Sequence, residues 1–181
     1  VTAQKRAESL QDVPIAVSAV GGEKIQDAGI NKIEDLKNYV PTLFMTETAI
    51  GNNISIRGIF SGVNPGFEQS VGTYVDGVYH GRPQQTRAPF LDLERVEVLL
   101  DGAAAQYGSD AIAGVINIIQ KSSDTGGAIV LDGGQYFDGG GQSYHVSANT
   151  GWAPFEGAYM NLTYDSKFRD DSFRGDFDPR V

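Results

Sequence analysis

A chain of 181 residues, 40% of them apolar, suits one ordinary domain or one domain plus a piece of another. Its net charge of −9 argues against a nucleic-acid partner, because binding phosphates needs a basic surface. The absence of cysteine excludes disulfides, thiolate metal sites and a cysteine nucleophile, and no apolar run approaches the ~18 residues of a membrane-spanning helix.

The pattern is already under way at Val1 and no signal peptide is read, so a leader is expected outside the sequence shown. Ile15 to Val20, after Pro14, reads as a strand. Glu23 to Ala28 reads as a short helix stopped by Gly29. Asn31 is the expected N-cap of a second helix, with Glu34 three residues on. That helix places Ile33, Leu36, Tyr39 and Val40 on one face and ends at Pro41. Ile54 and Ile56 alternate with Ser55 and Arg57 in a short strand. Gly62 to Gly66 reads as a loop, and Val71 to Val75 as a strand turned by Asp76-Gly77. Val96 to Leu99 leads into a small-residue turn at Asp101-Gly102, an Ala-rich segment, Tyr107-Gly108, and a second apolar run, Val115 to Ile119. The first two thirds therefore predict an α+β domain of short pieces and glycine-rich loops.

The last third has a different texture. Gly127 to Leu131 begins a weak strand, followed by a long glycine-rich link, Gly133 to Gly141. In Ser143 to Trp152, Tyr144, Val146, Ala148, Thr150 and Trp152 share one face. Ser143, His145, Ser147, Asn149 and Gly151 share the other. Ala158 to Phe168 repeats the design, with Ala158, Met160, Leu162, Tyr164 and Phe168 opposite Tyr159, Asn161, Thr163, Asp165 and Lys167. A tight turn is expected at Ala153 to Gly157, with Pro early and Gly late. Two-faced strands of about ten residues fit an outer-membrane barrel. They also fit a soluble antiparallel sheet. Three strands cannot close a barrel, and an open edge in lipid leaves backbone groups unsatisfied. On the membrane reading, the chain is a piece of something larger.

Signals for covalent chemistry are weak. His80 and His145 lie far apart, without metal-ligand spacing. Glu94 and Glu97 are three apart, but the strand around them and Arg95 point to a structural ion pair or a solvated edge. Gly139-Gly140-Gly141 lacks both the lysine and the strand–loop–helix setting of a phosphate loop. Ser109-Asp110 has no histidine partner in a recognised motif. No cofactor and no metal site is predicted.

Five blocks carry a family resemblance: VTAQKRAESLQDVPIAVSAV (Val1 to Val20), GINKIEDLKNYVPTL (Gly29 to Leu43), NISIRGI (Asn53 to Ile59), VGTYVDGVYHGR (Val71 to Arg82) and LERVEVLLDGAAAQYGSDAIAGVINII (Leu93 to Ile119). They occur in the order of the plug domain of TonB-dependent outer-membrane receptors, which this chain resembles over roughly its first two thirds. Leu100 stands where that family most often has Arg, so no role is carried to it. The resemblance implies a plug at residues 1–121 and the first barrel strands at 122–181. It implies energy-coupled import of a scarce nutrient across a Gram-negative outer membrane, most often a ferric siderophore. The implied partners are TonB, a metal-chelate or other small nutrient ligand, and outer-membrane lipid.

Site residues follow from the resemblance combined with side-chain chemistry. Tyr79, His80, Arg82, Gln84 and Gln85 are the candidate substrate contacts. They lie in YHGRPQQTRAPF (Tyr79 to Phe90), a segment too polar for a core, with Phe44 to Asn52 as the next candidate. Arg57, Glu94, Arg95 and Glu97 are candidates for anchoring the plug to the barrel. Arg57 could instead face the ligand. Val1, Thr2 and Ala3 are the visible end of the segment that the family pairs with TonB by strand addition, if that terminus is not simply frayed. The Ala153 to Gly157 turn is expected on the periplasmic side and the Gly133 to Gly141 loop outside. Trp152, Tyr144 and Tyr164 are expected to face lipid. The alternative reading is a soluble periplasmic binding or scaffold module. A hydrolase is disfavoured by the missing nucleophile–histidine pair.

Overall fold

The computed structural model describes every residue except 3–7, 31, 50, 63–65, 88–89, 101–106, 109–110, 123–124, 138 and 173–181. The predicted Asn31 cap, the Asp101-Gly102 turn and Ser109-Asp110 lie outside the described residues, as does Ala3. The chain divides into two compact units, Val1–Lys121 and Ser122–Val181.

The first unit is built on a five-stranded sheet. Its strands are β1 (Val17–Gly21), β4 (Val71–Val75), β5 (Val78–Tyr79), β6 (Leu93–Leu99) and β7 (Gly114–Gln120), in the order β1-β6-β7-β4-β5. Only the β4–β7 pair is parallel. A separate hairpin joins β2 (Leu43–Thr48) to β3 (Gly51–Ile56). The sequence reading had neither β2 nor the hairpin. Phe44 to Asn52, expected as a loop, is strand on both sides of a short turn. Asp76 and Gly77 both take positive φ between β4 and β5, as a two-residue type I′ hairpin requires.

Helix α1 (Gly22–Asp27) ends as predicted near Gly29. The Ile30 N–H donates to the Ile25 carbonyl and the Gly29 N–H to the Gln26 carbonyl, the paired bonds of a Schellman cap. The second helix is a 3-10 turn, Ile33–Asn38, with Lys32 at its N-cap. The Asp35 carboxylate accepts the Lys32 N–H at 3.2 Å, the role expected of Glu34. Ile33, Leu36 and Val40 are buried as predicted, whereas Tyr39, the C-cap residue just past the 3-10 turn, is exposed.

Two apolar layers sandwich the sheet. On one side, Val96, Val98, Ile116 and Ile118 pack with α1, the 3-10 turn and the hairpin through Ile25, Ile33, Leu36, Ile54 and Ile56. On the other side, Leu99, Val115, Tyr74 and Ala111 pack with Val13, Ile15, Val17, Tyr79 and Tyr107. Each fully buried aliphatic side chain contributes about 1.5–3 kcal/mol, so the first layer carries most of the stability.

The second unit is an antiparallel sheet of β8 (Gly127–Gly134), β9 (Ser143–Trp152) and β10 (Met160–Arg169), in the order β10-β9-β8. The registers Val146↔Leu131, Ala148↔Tyr164, Thr150↔Leu162 and Trp152↔Met160 collect the apolar residues on one exposed face. The opposite face is a polar network. Asn149 Nδ2 donates to Asn161 Oδ1 at 2.6 Å and to Thr163 Oγ1 at 2.7 Å. His145 stands between Asp132 at 3.1 Å and Asp165 at 2.7 Å. The connections span residues 135–142 and 153–159 and are nearly equal in length, so the expected contrast between a short turn and a long loop is absent.

Candidate functional site

The predicted substrate segment is not one loose loop. Tyr79 belongs to β5 and its ring packs on Tyr74, with centroids 5.3 Å apart. A Cβ on Gly81 would strike that ring at 2.7 Å, so the ring packs closely against the Gly81 backbone. Tyr79 is therefore part of the second apolar layer rather than a stacking platform for a ligand. The His80 N–H is held by the Thr73 carbonyl at 2.8 Å. Beyond it, Gln85–Arg87 forms a 3-10 turn, and Gln85 Oε1 accepts the Arg82 N–H at 3.1 Å. Arg82, Gln84 and Gln85 keep exposed side chains.

Strand β3 pins this segment from below. The Asn52 N–H reaches the Pro83 carbonyl at 3.2 Å, and Asn52 Nδ2 reaches the Thr86 carbonyl at 3.2 Å. Gly51 lies so close to Pro83 that a Cβ would meet its backbone at 2.8 Å, which reserves the position for glycine. From the other side, the Gln69 N–H donates to the Gly81 carbonyl at 3.3 Å, and an Arg82 guanidinium N–H donates to the Gly66 carbonyl at 3.0 Å. These bonds bring the described part of a second stretch, residues 57–62 and 66–69, against the first. It presents Phe60 (57% exposed) and Phe67 (63%). Neither phenylalanine was singled out from the sequence. A large apolar side chain in a Gly-rich stretch, outside any periodic pattern, was the available signal.

Both amide atoms of Gln69 are buried without a partner among the described residues. Arg57 sits at the foot of the second loop, exposed, in a left-handed conformation at φ 53°. Its N–H donates to the Thr42 carbonyl at 3.0 Å, tying the loop to the β2–β3 hairpin.

The acidic candidates separate into different environments. Glu94 is 45% exposed at the surface of β6. Glu97 is wholly buried within the first unit. Its carboxylate accepts the Arg95 Nε–H at 2.7 Å, the Thr2 N–H at 2.8 Å and the Thr2 hydroxyl at 3.3–3.4 Å. Arg95 also reaches Glu94 and, at 3.3 Å, the Thr2 hydroxyl. Glu97 is thus neither at a solvated edge nor presented outward as an anchor. Thr2, at a terminus that could have been frayed, is hydrogen-bonded to β6. Nearby, burial first, then the Glu97 carboxylate and Tyr74, push the Tyr107 phenol above the usual tyrosine value. Tyr74 donates its hydroxyl to the Tyr107 carbonyl at 2.8 Å.

Among the described residues no group of His, Asp and Glu could hold a metal ion, and no helix is long and apolar enough to cross a membrane. The His145 carboxylate partners lie at opposite ring nitrogens and so do not converge on one point.

The comparisons with known proteins agree with this architecture. The family model described as "TonB-dependent Receptor Plug Domain" matches residues 9–115. The iron-regulated outer membrane virulence protein of Vibrio cholerae is 32% identical over 126 residues, covering 67% of this chain and 19% of its own length. The vitamin B12 transporter BtuB of Vibrio vulnificus is 31% identical over 129 residues, covering 69% of this chain and 21% of its own. The chain thus spans about a fifth of the length of these relatives. Among solved structures, the ferric yersiniabactin uptake receptor FyuA of Yersinia pestis superposes with a TM-score of 0.74 over 90% of this chain and 26% of that one, at 24% identity. That coverage runs past the plug into the second unit, so the shared fold includes the strands that follow it. Relatives named for the outer membrane place the protein at the outer membrane of Gram-negative cells. The chain belongs to the TonB-dependent receptor family and carries its plug domain followed by antiparallel barrel strands.

Proposed function

We propose that this chain is the plug and first barrel strands of a receptor that imports a small nutrient, a ferric siderophore, by TonB-driven movement of the plug. The observation that carries the reading is the two-faced second unit behind a plug fold. Its apolar face is fully presented, and its polar face is closed by its own hydrogen bonds. Lipid would meet the first face and a wet lumen the second. Residues 1–121 serve as the plug and 122–181 begin the wall. Binding falls to the joined loops through Arg82, Gln84, Gln85, Phe60 and Phe67. Rings supply apolar contact and amides supply hydrogen bonds, and no covalent step is involved. His80 contributes at the rim, whereas Tyr79 supports from below. Arg57 and Glu94 remain the outward-facing charges suited to anchoring the plug in its barrel.

The test uses the full-length receptor and a panel of radiolabelled ferric hydroxamate and ferric catecholate chelates. Gln84→Ala with Phe67→Ala is expected to weaken binding of one chelate class at least tenfold with unchanged outer-membrane abundance. Undiminished affinity for every bound chelate would remove these loops from the site. Binding of none of the chelates would remove iron as the cargo.

A further inference from the structure

We propose that Glu97 is a latch for the N-terminal segment, holding Thr2 on β6 so that drawing the segment away leaves a buried charge short of donors and loosens the central sheet. Cross-strand register shows why the position matters. Ala19, Glu97, Asn117, Tyr74 and Tyr79 form one row across all five strands, in the order β1, β6, β7, β4, β5. Glu97 occupies that row one strand in from the edge, with no exposed surface. Ala19, its neighbour on the edge strand, offers no polar atom in its side chain.

A buried carboxylate is tolerated when donors fill its lone pairs. Among the described residues Arg95 supplies one donor, through Nε, and Thr2 supplies the others. When Thr2 leaves, the Arg95 Nε–H stays on Glu97 and its Nη1 stays engaged by Glu94, so the Thr2 backbone N–H has no ready replacement on the carboxylate. The Glu8 N–H donates to the Val1 carbonyl at 2.9 Å, which ties the start of the segment to residues further along it. Removing Thr2 therefore strips the backbone donor and the hydroxyl from Glu97 in one motion. It also frees one arm of Arg95. The ion pair that remains is buried and incompletely paired, a state that destabilises its surroundings. A displacement at the terminus is in this way converted into weakening of the strand between β1 and β7.

The latch is a property of this chain alone. Its use as the point where TonB engages rests on the function proposed above. The test places a nitroxide at Val1→Cys in the full-length receptor and reads its mobility without any partner. In the parent the label is expected to be immobile. Thr2→Pro removes both the N–H and the hydroxyl from the exposed side, and is expected to raise the mobile-to-immobile ratio roughly ten- to hundredfold, the size of a lost hydrogen bond to a charge. Thr2→Ala keeps the N–H and is expected to fall between. Glu97→Gln should match Thr2→Pro if it folds, and Thr2→Pro decides the matter if it does not. Amide exchange at Val96 and Val98 should quicken in Thr2→Pro. A label equally mobile in parent and Thr2→Pro overturns the latch, as does one equally immobile. A mobile label with unchanged exchange in β6 overturns the coupling to the sheet. A C-terminal domain of TonB that binds Thr2→Pro no better than the parent, while the label is released, sinks the TonB reading and leaves the latch standing.

Discussion

Glu94 and Glu97 show how far the environment of one residue type diverges over three positions. Both flank Arg95, yet one is largely solvated and the other fully enclosed. Exposed ion pairs contribute little, because solvent screens them and ordering two long side chains costs entropy. Glu94→Ala is therefore expected to change stability by less than about 1 kcal/mol. Glu97→Ala strands the Thr2 N–H and removes the buried partner of Arg95, and should cost about 2–3 kcal/mol. Urea midpoints of the two variants decide this, and equal midpoints would mean that Glu97 is solvated. Tyr107 gives a second test at this scale. Its phenol is held above the ordinary value near pH 10, chiefly by burial. The folded protein therefore keeps the proton where the unfolded chain loses it. This contribution is fully present below about pH 10 and is lost as pH rises through the higher folded value. Tyr107→Phe should flatten the alkaline limb of the stability curve. An unchanged limb would assign the alkaline loss to other groups.

Strands β9 and β10 place every second side chain on an apolar face, and the hydrogen bonds of Asn149 show that the other face is already satisfied within the sheet. Substituting Leu162 by Arg puts a charge on the lipid face, and should cost about 2–4 kcal/mol if the position lies near the bilayer midplane. Asn161→Arg loses the hydrogen bonds that Asn161 accepts from Asn149 and Thr163 but keeps the charge off the lipid face, and should cost about 1–2 kcal/mol. Folding titrations of the full-length receptor into vesicles measure both. Equal costs would reverse the assignment of faces. Loop length no longer orients these strands, since 135–142 and 153–159 are so similar, and thiol labelling of Gly139→Cys and Glu156→Cys on intact cells replaces it. The β2–β3 hairpin teaches a different lesson about elements. Phe44, Thr46 and Glu47 point outward and break the apolar signal, so β2 is recognisable only through its pairing with β3.

At the scale of the molecule the two units differ in what holds them. The first has apolar layers on both faces of its sheet, whereas the second exposes large apolar side chains such as Ile129 and Leu131. Backbone protection follows burial and pairing. In detergent-free buffer, amides of β4, β6 and β7 should exchange slowly, and those of β8 and β10, the edges of an open sheet, quickly. Added lipid vesicles should slow exchange in the second unit. Slow exchange of β8 without lipid would favour the soluble-module reading.

Alternation in Ser143 to Trp152 located β9 residue for residue, because which way a strand residue points is set by local backbone geometry. The Asp76-Gly77 turn and the stop at Gly29 were legible for the same reason, since both depend on φ at one or two residues. The polar segment after β5 was also legible as a candidate surface. Its partner loop was not, because the bonds from Gln69 to Gly81 and from Arg82 to Gly66 join residues with no shared period. The same limit hid the role of Glu97. A carboxylate three residues from another reads as a surface pair until the sheet order places β6 between β1 and β7 and lays Thr2 across it. The sequence by itself determined local conformation, facing and family, all carried by short-range pattern. Only the tertiary structure decided which charge is buried and what covers it, because burial and pairing depend on residues far apart in the chain.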